Sequence, residues 1–224
     1  MPLFLLSEDD IDFPPAHLAS HEGLLAVGGD LSPQRLIEAY RHGIFPWFNE
    51  EDPILWWSPD PRFVLFPHQL KVAKSMRPYF NQRKFEVSYN REFEKVMRSC
   101  AGVYRRGQGG TWITEEMVRG YVNLQRLGYA HSVEVWQEGK LVGGLYGLAM
   151  GKIFFGESMF AYVSNASKFG FISLVQELLT RDFELIDCQQ QTGHLASLGA
   201  VAIPRRQFLD ILSTLPENPD LLKL

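Results

Sequence analysis

The sequence predicts a mixed α/β fold of the α+β kind, and its segment order supports this in two ways. Three apolar segments, "HSVEVW", "KLVGGLYGLAM" and "KIFFGESMF", are joined only by the short links "QEG" and "GK". Links of this length indicate hairpins in an antiparallel meander. Helical patterns lie before and after the meander, so the order is not the repeated βαβ unit of a parallel sheet.

The two predicted helices around the meander have recognisable ends. Thr114 can cap the first helix, Glu115 and Glu116 suit its first turn, and Gly128 stops it. The second helix covers residues 166–180, where apolar residues recur at helical spacing. After it we expect a strand over "ELIDC", a short helix over "GHLASLG", the segment "AVAIPR" and a last helix near residues 208–215.

The first sixty residues are rich in turns and predict a separate small domain. Ser32 can cap a short helix that Pro33 opens. Five prolines within residues 46–67 then indicate rigid, irregular backbone. We therefore expect a small N-terminal domain at residues 1–62 and a larger domain at residues 63–224.

Composition limits the class of protein and its compartment. With 224 residues, 46% of them hydrophobic, the chain can bury a real core, and its two cysteines favour a reducing compartment. The start "MPLFLLSEDD" has no basic region, and no apolar run reaches about 18 residues, so we expect neither a signal peptide nor a membrane span. His17 and His21 have a metal-ligand spacing, but no third ligand is near. We expect a cytoplasmic monomer without a metal.

Basic residues are concentrated in one part of an acidic protein. The net charge is −4, yet residues 62–106 contain eleven Lys or Arg and only three acids. Such a segment can bind the phosphates of a nucleic acid, although a solvated charged face is the simpler alternative. The residues that we expect to form a phosphate-binding patch are Arg62, Lys71, Lys74, Arg77, Arg83 and Lys84.

The strand "ELIDC" ends in polar residues. Because side chains alternate along a strand, Asp187 and Gln189 should share one face and Cys188 should lie on the other. The pair can be a catalytic carboxylate and amide, or Asp187 can merely cap the next turn. Cys188 with His194 could form a nucleophilic pair, but a cysteine in an apolar strand is more often a small buried hydrophobe.

Two further features suggest a site. Glu157 interrupts the apolar strand "FFGESMF", so its carboxylate either lies in a cavity with hydrogen-bond partners or faces solvent at a sheet edge. Trp47 and Trp112 lie in loop-like contexts near the basic segment, which suits base stacking but also packing between domains. The glycines of "RRGQGG" lack the context of a phosphate-binding loop.

Several unusual blocks, in order and across residues 23–208, resemble the leucyl/phenylalanyl-tRNA–protein transferase family. They include "GLLAVGGDLSPQRLIEAYRHGIFPWF", "GTWIT", "GESMF", "NASK" and "LIDCQQQTGHLASLGA". The resemblance implies a small N-terminal α/β domain followed by a larger domain with the acyltransferase fold of the GCN5-related N-acetyltransferases. It also implies transfer of Leu or Phe, and less well Met, from aminoacyl-tRNA to proteins with N-terminal Arg or Lys, which marks them for degradation by the N-end rule pathway.

The resemblance also implies roles for individual residues. It assigns the chemistry to Asp187 and Gln189, with Glu157 in support. It implies no cofactor, because an aminoacyl ester is already activated. The positions that it assigns to the wall around the terminal adenosine and the amino acid are Trp47, Trp112, Tyr40, Tyr121, Leu145, Met159, Phe171, Leu174 and Leu178.

The predicted chemistry needs orientation, loss of one proton and stabilisation of an oxyanion. With an ordinary pKa of about 3.9, an aspartate is a poor base at neutral pH. We therefore hypothesise that Asp187 accepts the amide N–H of Gln189 and orients it. The carbonyl of Gln189 then accepts a hydrogen from the attacking amine, and a ribose hydroxyl protonates the leaving oxygen.

Two other functions stay open. An acetyl-CoA-dependent N-acetyltransferase would have a phosphate-binding loop where this chain has "AYVSNASK", without the expected glycines. A non-catalytic RNA-binding module would explain the basic segment and the tryptophans, but not Asp187, Gln189 and Glu157. Loss of activity with retained tRNA binding in Asp187→Asn would exclude it.

Overall fold

The computed structural model describes residues 3–103, 111–216 and 221–224. Their strands and helices form two sheets with helices packed on both faces of the larger sheet. The strands are β1 (Phe4–Leu6), β2 (Leu24–Gly28), β3 (Phe45–Pro46), β4 (Leu55–Trp57), β5 (Arg62–Leu65), β6 (Glu86–Tyr89), β7 (Ala130–Gln137), β8 (Lys140–Met150), β9 (Ile153–Ala161), β10 (Leu185–Asp187) and β11 (Val201–Ile203). The helices are α1 (Pro33–Arg41), α2 (Arg77–Asn81), α3 (Phe93–Gly102), α4 (Glu115–Arg126), α5 (Ala166–Leu179), α6 (Gly193–Ser197) and α7 (Arg205–Leu212).

The first sheet belongs to the N-terminal part of the chain and has the order β1-β2-β4-β3. Helix α1 follows β2 and begins as predicted: Pro33 is its first residue and the Ser32 hydroxyl accepts a hydrogen bond from the backbone N–H of Arg35. The indole N–H of Trp56 on β4 donates to the carbonyl of Gly28 at 2.9 Å. These contacts cap the start of α1 and join the end of β2 to β4.

The second sheet has the order β11-β5-β10-β9-β8-β7-β6. The predicted meander is confirmed, because β7, β8 and β9 pair in sequence as antiparallel neighbours. The pair β9/β10 is parallel, whereas β10 pairs antiparallel with β5. The mixed α/β class is therefore confirmed, with a small N-terminal sheet before a larger one.

The larger sheet is covered on both faces. Helix α5 lies close on β7 and β8 because two glycines leave room for it: a Cβ at Gly143 would lie 2.6 Å from the Cβ of Ala166, and one at Gly170 would lie 2.7 Å from a methyl of Val135. The opposite face packs against α3, α4 and the N-terminal part in one continuous core. Because that core crosses residue 62, the boundary between residues 1–62 and 63–224 stays a prediction.

Two predicted bounds were wrong. The last helix begins at Arg205, not near residue 208, because Pro204 precedes it and the backbone N–H of Arg205 donates to the Asp60 carboxylate at 3.0 Å. The strand over "ELIDC" ends at Asp187. Arg105 and Arg106 of the basic segment lie outside the described residues. Within the described parts of the chain, no helix is both long and apolar enough to cross a membrane.

His131 is buried on β7, and we expect it to make the stability of the fold depend on pH. Burial lowers the pKa of its imidazole from 6.5 to about 4, so the folded state resists its protonation. The unfolded chain begins to bind a proton at this imidazole below pH 6.5, whereas the folded protein does so only near pH 4. The free energy of unfolding is therefore undiminished above pH 6.5 and decreases as the pH falls towards 4. We expect wild type to lose about 3 kcal/mol more than His131→Gln between pH 7.5 and 4, measured by urea unfolding. Parallel pH curves for the two proteins would contradict this.

Candidate active site

A cavity of about 480 Å³ opens where two parallel strands separate. Strands β9 and β10 pair only over Ile153–Phe155 and Leu185–Asp187, and the pairing ends beyond these residues. Ligand sites commonly form at the carboxyl ends of such strands. The residues that line the cavity are Phe45, Pro46, Trp47, Trp112, Leu145, Tyr146, Phe154, Gly156, Glu157, Ser158, Met159, Ser167, Phe171, Ile186, Asp187, Cys188, Gln189, Gln190, Thr192, His194 and Leu195.

A β-bulge places Glu157 at this opening. Tyr146 on β8 pairs with Ser158 and the next residue, Gly147, pairs with Gly156, so Glu157 is the extra residue of β9. Bulges of this kind redirect a side chain and locally break the ladder. Gly147 permits the close approach, since a Cβ there would lie 2.1 Å from the carbonyl oxygen of Phe155. Glu157 is therefore positioned by backbone geometry.

The carboxylate of Glu157 accepts three hydrogen bonds. Its Oε1 accepts from the Tyr40 hydroxyl at 2.7 Å and from the Gln189 amide at 2.8 Å, while Oε2 accepts from the Tyr121 hydroxyl at 3.2 Å. The two tyrosine hydroxyls also contact each other. Burial raises the pKa of Glu157 to about 7, and the hydrogen bonds from the two tyrosines limit the rise. Glu157 can therefore gain and lose a proton near neutral pH.

Asp187 lies in a different electrostatic setting. Its two carboxylate oxygens accept bidentate hydrogen bonds from the Arg62 guanidinium at 2.8 and 2.6 Å, and both side chains are fully buried. The guanidinium also donates to the carbonyl of Gly43 and lies between the rings of Phe45 and Phe208, 4.9 and 4.6 Å from their centroids. Asp187 is thus held by a cation that is itself enclosed.

The assignment of Arg62 to a phosphate-binding patch was wrong, because its guanidinium is completely buried against Asp187. A signal for this was available: Arg62 opens the apolar segment "RFVLF", which forms the fully buried strand β5. The other predicted patch residues are all exposed: Lys71, Lys74, Arg77, Arg83 and Lys84. Their contact with a nucleic acid stays a prediction.

The predicted hydrogen bond from the Gln189 amide to Asp187 was also wrong. The strand ends at Asp187, and Gln189 takes a left-handed backbone conformation with φ of 59°. Asp187 accepts the backbone N–H of Gln189 at 2.9 Å, whereas the side-chain amide of Gln189 donates to Glu157. The alternation expected of a strand fails here because residue 189 is in a turn. Asp187 supports the backbone, and Glu157 orients the amide.

The structure brings together part of the predicted wall. Trp47, Trp112, Leu145, Met159 and Phe171 line the cavity as expected. Four predicted wall residues do not: Tyr40 and Tyr121 are hydrogen-bonded to the lining residue Glu157, and Leu174 and Leu178 are fully buried between α5 and the sheet. On α5, Ser167 faces the cavity together with Phe171, one turn later.

The cavity is also lined by residues to which no role was assigned from the sequence, among them Tyr146, Thr192 and Leu195. Cys188 lines it too, but burial raises the pKa of its thiol far above the ordinary value. A thiol with a raised pKa is a poor nucleophile near neutral pH. Burial lowers the pKa of His194, which lines the same cavity.

Family models and curated relatives both match this chain, and they share one family name. A family model described as leucyl/phenylalanyl-tRNA protein transferase matches residues 64–213, and the N-terminal domain model of that family matches residues 29–60. The leucyl/phenylalanyl-tRNA–protein transferase of Nitrosospira multiformis is 58% identical over 94% of this chain and 90% of its own. The protein of the same name from Christiangramia forsetii is 60% identical over 89% of this chain and 95% of its own.

Two solved structures show a distant likeness to this chain. L-PGS from Bacillus licheniformis is 13% identical, with a TM-score of 0.41 over 75% of this chain and 55% of its own. A GCN5-related N-acetyltransferase from Kribbella flavida is 10% identical, with a TM-score of 0.35 over 74% of this chain and 59% of its own. At these scores the likeness carries no argument about substrate or mechanism.

Proposed function

The chain belongs to the leucyl/phenylalanyl-tRNA–protein transferase family of enzymes, and we propose that it moves Leu or Phe, and less well Met, from aminoacyl-tRNA to the α-amine of proteins that begin with Arg or Lys. The product is a new peptide bond that extends the acceptor by one residue. This extension marks the acceptor for degradation by the N-end rule pathway in the cytoplasm. Family membership over nearly the whole chain supports the transfer of an amino acid from tRNA to protein.

The observation that carries the proposal is the hydrogen bond between Gln189 and Glu157 inside the cavity. Because the amide N–H of Gln189 is engaged by Glu157, its carbonyl oxygen is the end left to accept a hydrogen bond. That oxygen accepts an N–H of the acceptor amine and directs the nitrogen lone pair towards the ester carbonyl. Fixing an amine and an ester in this way removes much of the entropic barrier to aminolysis.

The donor amino acid occupies the apolar part of the cavity. Leu145, Phe154, Met159, Phe171 and Ile186 line this part, and no charged side chain is needed to bind Leu or Phe. A β-branched Val or Ile is stiff next to its Cα and fits such a wall less well. Discrimination by one methyl group amounts to only about 1–3 kcal/mol, which accounts for the use of more than one donor.

The direct test mixes the purified protein with radiolabelled Leu-tRNA and a peptide that begins with Arg, without ATP or acetyl-CoA. An otherwise identical peptide that begins with Ala is the matched acceptor control. Label in the Arg peptide alone is the expected result. If neither peptide were labelled and the peptide were acetylated once acetyl-CoA was added, the protein would be an N-acetyltransferase instead.

Salt dependence tests the predicted phosphate contacts. We expect the logarithm of tRNA affinity to fall linearly with the logarithm of salt concentration, because phosphate-bound cations are released. Arg77→Gln removes one exposed cation and should lower the slope by about one. Arg98→Gln is the control, since Arg98 is already paired with Glu94 and Glu115. A curve that is flat between low and moderate salt would contradict the patch.

A further inference from the structure

We propose that Glu157 is the catalytic residue that takes the proton lost by the acceptor amine, and that Tyr40 and Tyr121 are positioning residues that tune it. The proposal rests on the transfer reaction above and assigns its proton transfer to a particular carboxylate. It gives Glu157 the proton that the hypothesis drawn from the sequence passed to the Gln189 carbonyl.

The two carboxylates that line the cavity are not equivalent. Both oxygens of Asp187 are occupied by the Arg62 guanidinium, one of them also by the Gln189 backbone N–H, and its side chain has no exposed surface. Within residues 3–103, 111–216 and 221–224, Glu157 has no ion pair of this kind, and its side chain is only partly buried at the cavity wall. Of the two, Glu157 is the carboxylate that an incoming amine can reach.

The hydrogen bonds around Glu157 come from three side chains. Gln189 donates an amide N–H to Oε1, and Tyr40 donates its hydroxyl to the same oxygen. The Tyr121 hydroxyl contacts the Tyr40 hydroxyl and lies 3.2 Å from Oε2. Among the described residues this 3.2 Å contact is the one that Oε2 accepts, so Oε2 is the oxygen with capacity to accept a further proton. Oε1 is therefore occupied by two hydrogen bonds, and Oε2 can accept the proton of the amine.

The groups that face Glu157 come from five elements. Tyr40 lies on α1, Tyr121 on α4, Arg62 on β5, Asp187 on β10 and Gln189 in the turn that follows. Burial and the charge of Asp187 raise the pKa of Glu157, whereas the tyrosine hydrogen bonds and the charge of Arg62 lower it. A general base is most effective when its pKa lies near the working pH.

The step is balanced without a cofactor. The amine nitrogen attacks the ester carbonyl carbon, and its proton passes to Glu157 as the C–N bond forms. The electron pair returned from the oxyanion then breaks the bond to the ribose oxygen. Glu157 gives its proton to that oxygen and is an ionised carboxylate again at the end of the step.

The test is the pH dependence of transfer in a single turnover with saturating Leu-tRNA. Activity should fall below about pH 7 as Glu157 becomes protonated. Tyr40→Phe removes a hydrogen bond that favours the ionised carboxylate, so the acid limb should move up by about 0.5–1 pH unit, and Tyr121→Phe should move it less. Above pH 8.5 the variants should approach the wild-type rate.

Controls separate Glu157 from other titrating groups. Tyr89→Phe removes a hydroxyl 3.5 Å from the Ser173 carbonyl, outside the cavity, and should leave the limb unmoved. The acceptor amine also titrates, so the series is repeated with two Arg peptides whose α-amines differ in pKa. If the acid limb shifts with the pKa of the peptide amine, it reports titration of that amine. If it shifts when Tyr40 is replaced, it reports titration of Glu157.

Each outcome decides the proposal. A Glu157→Gln variant that binds Leu-tRNA but transfers at least 100-fold more slowly would support it. An acid limb unmoved in both tyrosine variants, or near-normal transfer by Glu157→Gln, would overturn it while leaving the proposed function intact. If wild type transferred no label at any pH, the proposed function and this inference would both be wrong. Should Tyr40→Phe fail to fold, Tyr121→Phe and Glu157→Gln still decide.

Discussion

Replacing Arg62 by Met should lower the free energy of unfolding by about 3–5 kcal/mol, because the change leaves the carboxylate of Asp187 buried without its cation. In the native protein this pair has two short hydrogen bonds and no exposed surface. A buried unpaired charge cannot recover its hydration, so the folded state loses more than the attraction itself. Urea unfolding at pH 7.5 measures the difference directly.

Arg98→Met is the matched control for this experiment. Arg98 also has two carboxylate partners, Glu94 and Glu115, but all three side chains are at the surface. Exposed pairs contribute little, so the unfolding curve should be nearly unchanged. Equal losses of stability in Arg62→Met and Arg98→Met would show that burial of the first pair has no special cost.

Replacing Gln189 by Asn should slow transfer by about 10²-fold while tRNA binding is retained, because the shorter side chain misplaces the amide by about 1 Å or more. Asn tolerates the left-handed backbone that this position requires, so the turn itself should survive. The amide of Asn is too short to reach Glu157 and to present its carbonyl to the amine. Single-turnover transfer and filter binding of Leu-tRNA separate the two effects.

Gln137→Asn, the same change at the end of β7, is the control and should leave transfer unchanged. Thermal unfolding of both variants checks that the fold is intact. Full activity in Gln189→Asn would exclude orientation of the amine by this amide.

The elements that the sequence predicts well are those that local chemistry determines. Ser32 and Thr114 cap their helices as expected, with the hydroxyl of each accepting the backbone N–H three residues later. The meander follows from three apolar segments joined by links too short for anything but hairpins. Neither inference needs a contact between distant parts of the chain.

The candidate site depends on long-range contacts and was predicted less well. Asp187 was expected to bind the Gln189 amide, because alternation was carried two residues beyond the end of the strand. Charge density alone placed Arg62 in a surface patch, although the partner that buries it is 125 residues away in sequence. The bulge at Glu157 depends on the register of β8 against β9, which residue types do not reveal.

The enclosure of Arg62 has a consequence for synthesis of the protein on the ribosome. One ring against the guanidinium comes from residue 45, the carboxylate from residue 187 and the second ring from residue 208. Until Phe208 has been made, the charge at the centre of this site has no complete enclosure. A nascent chain therefore cannot complete the enclosure of Arg62 until α7, which carries Phe208, has left the ribosome and docked.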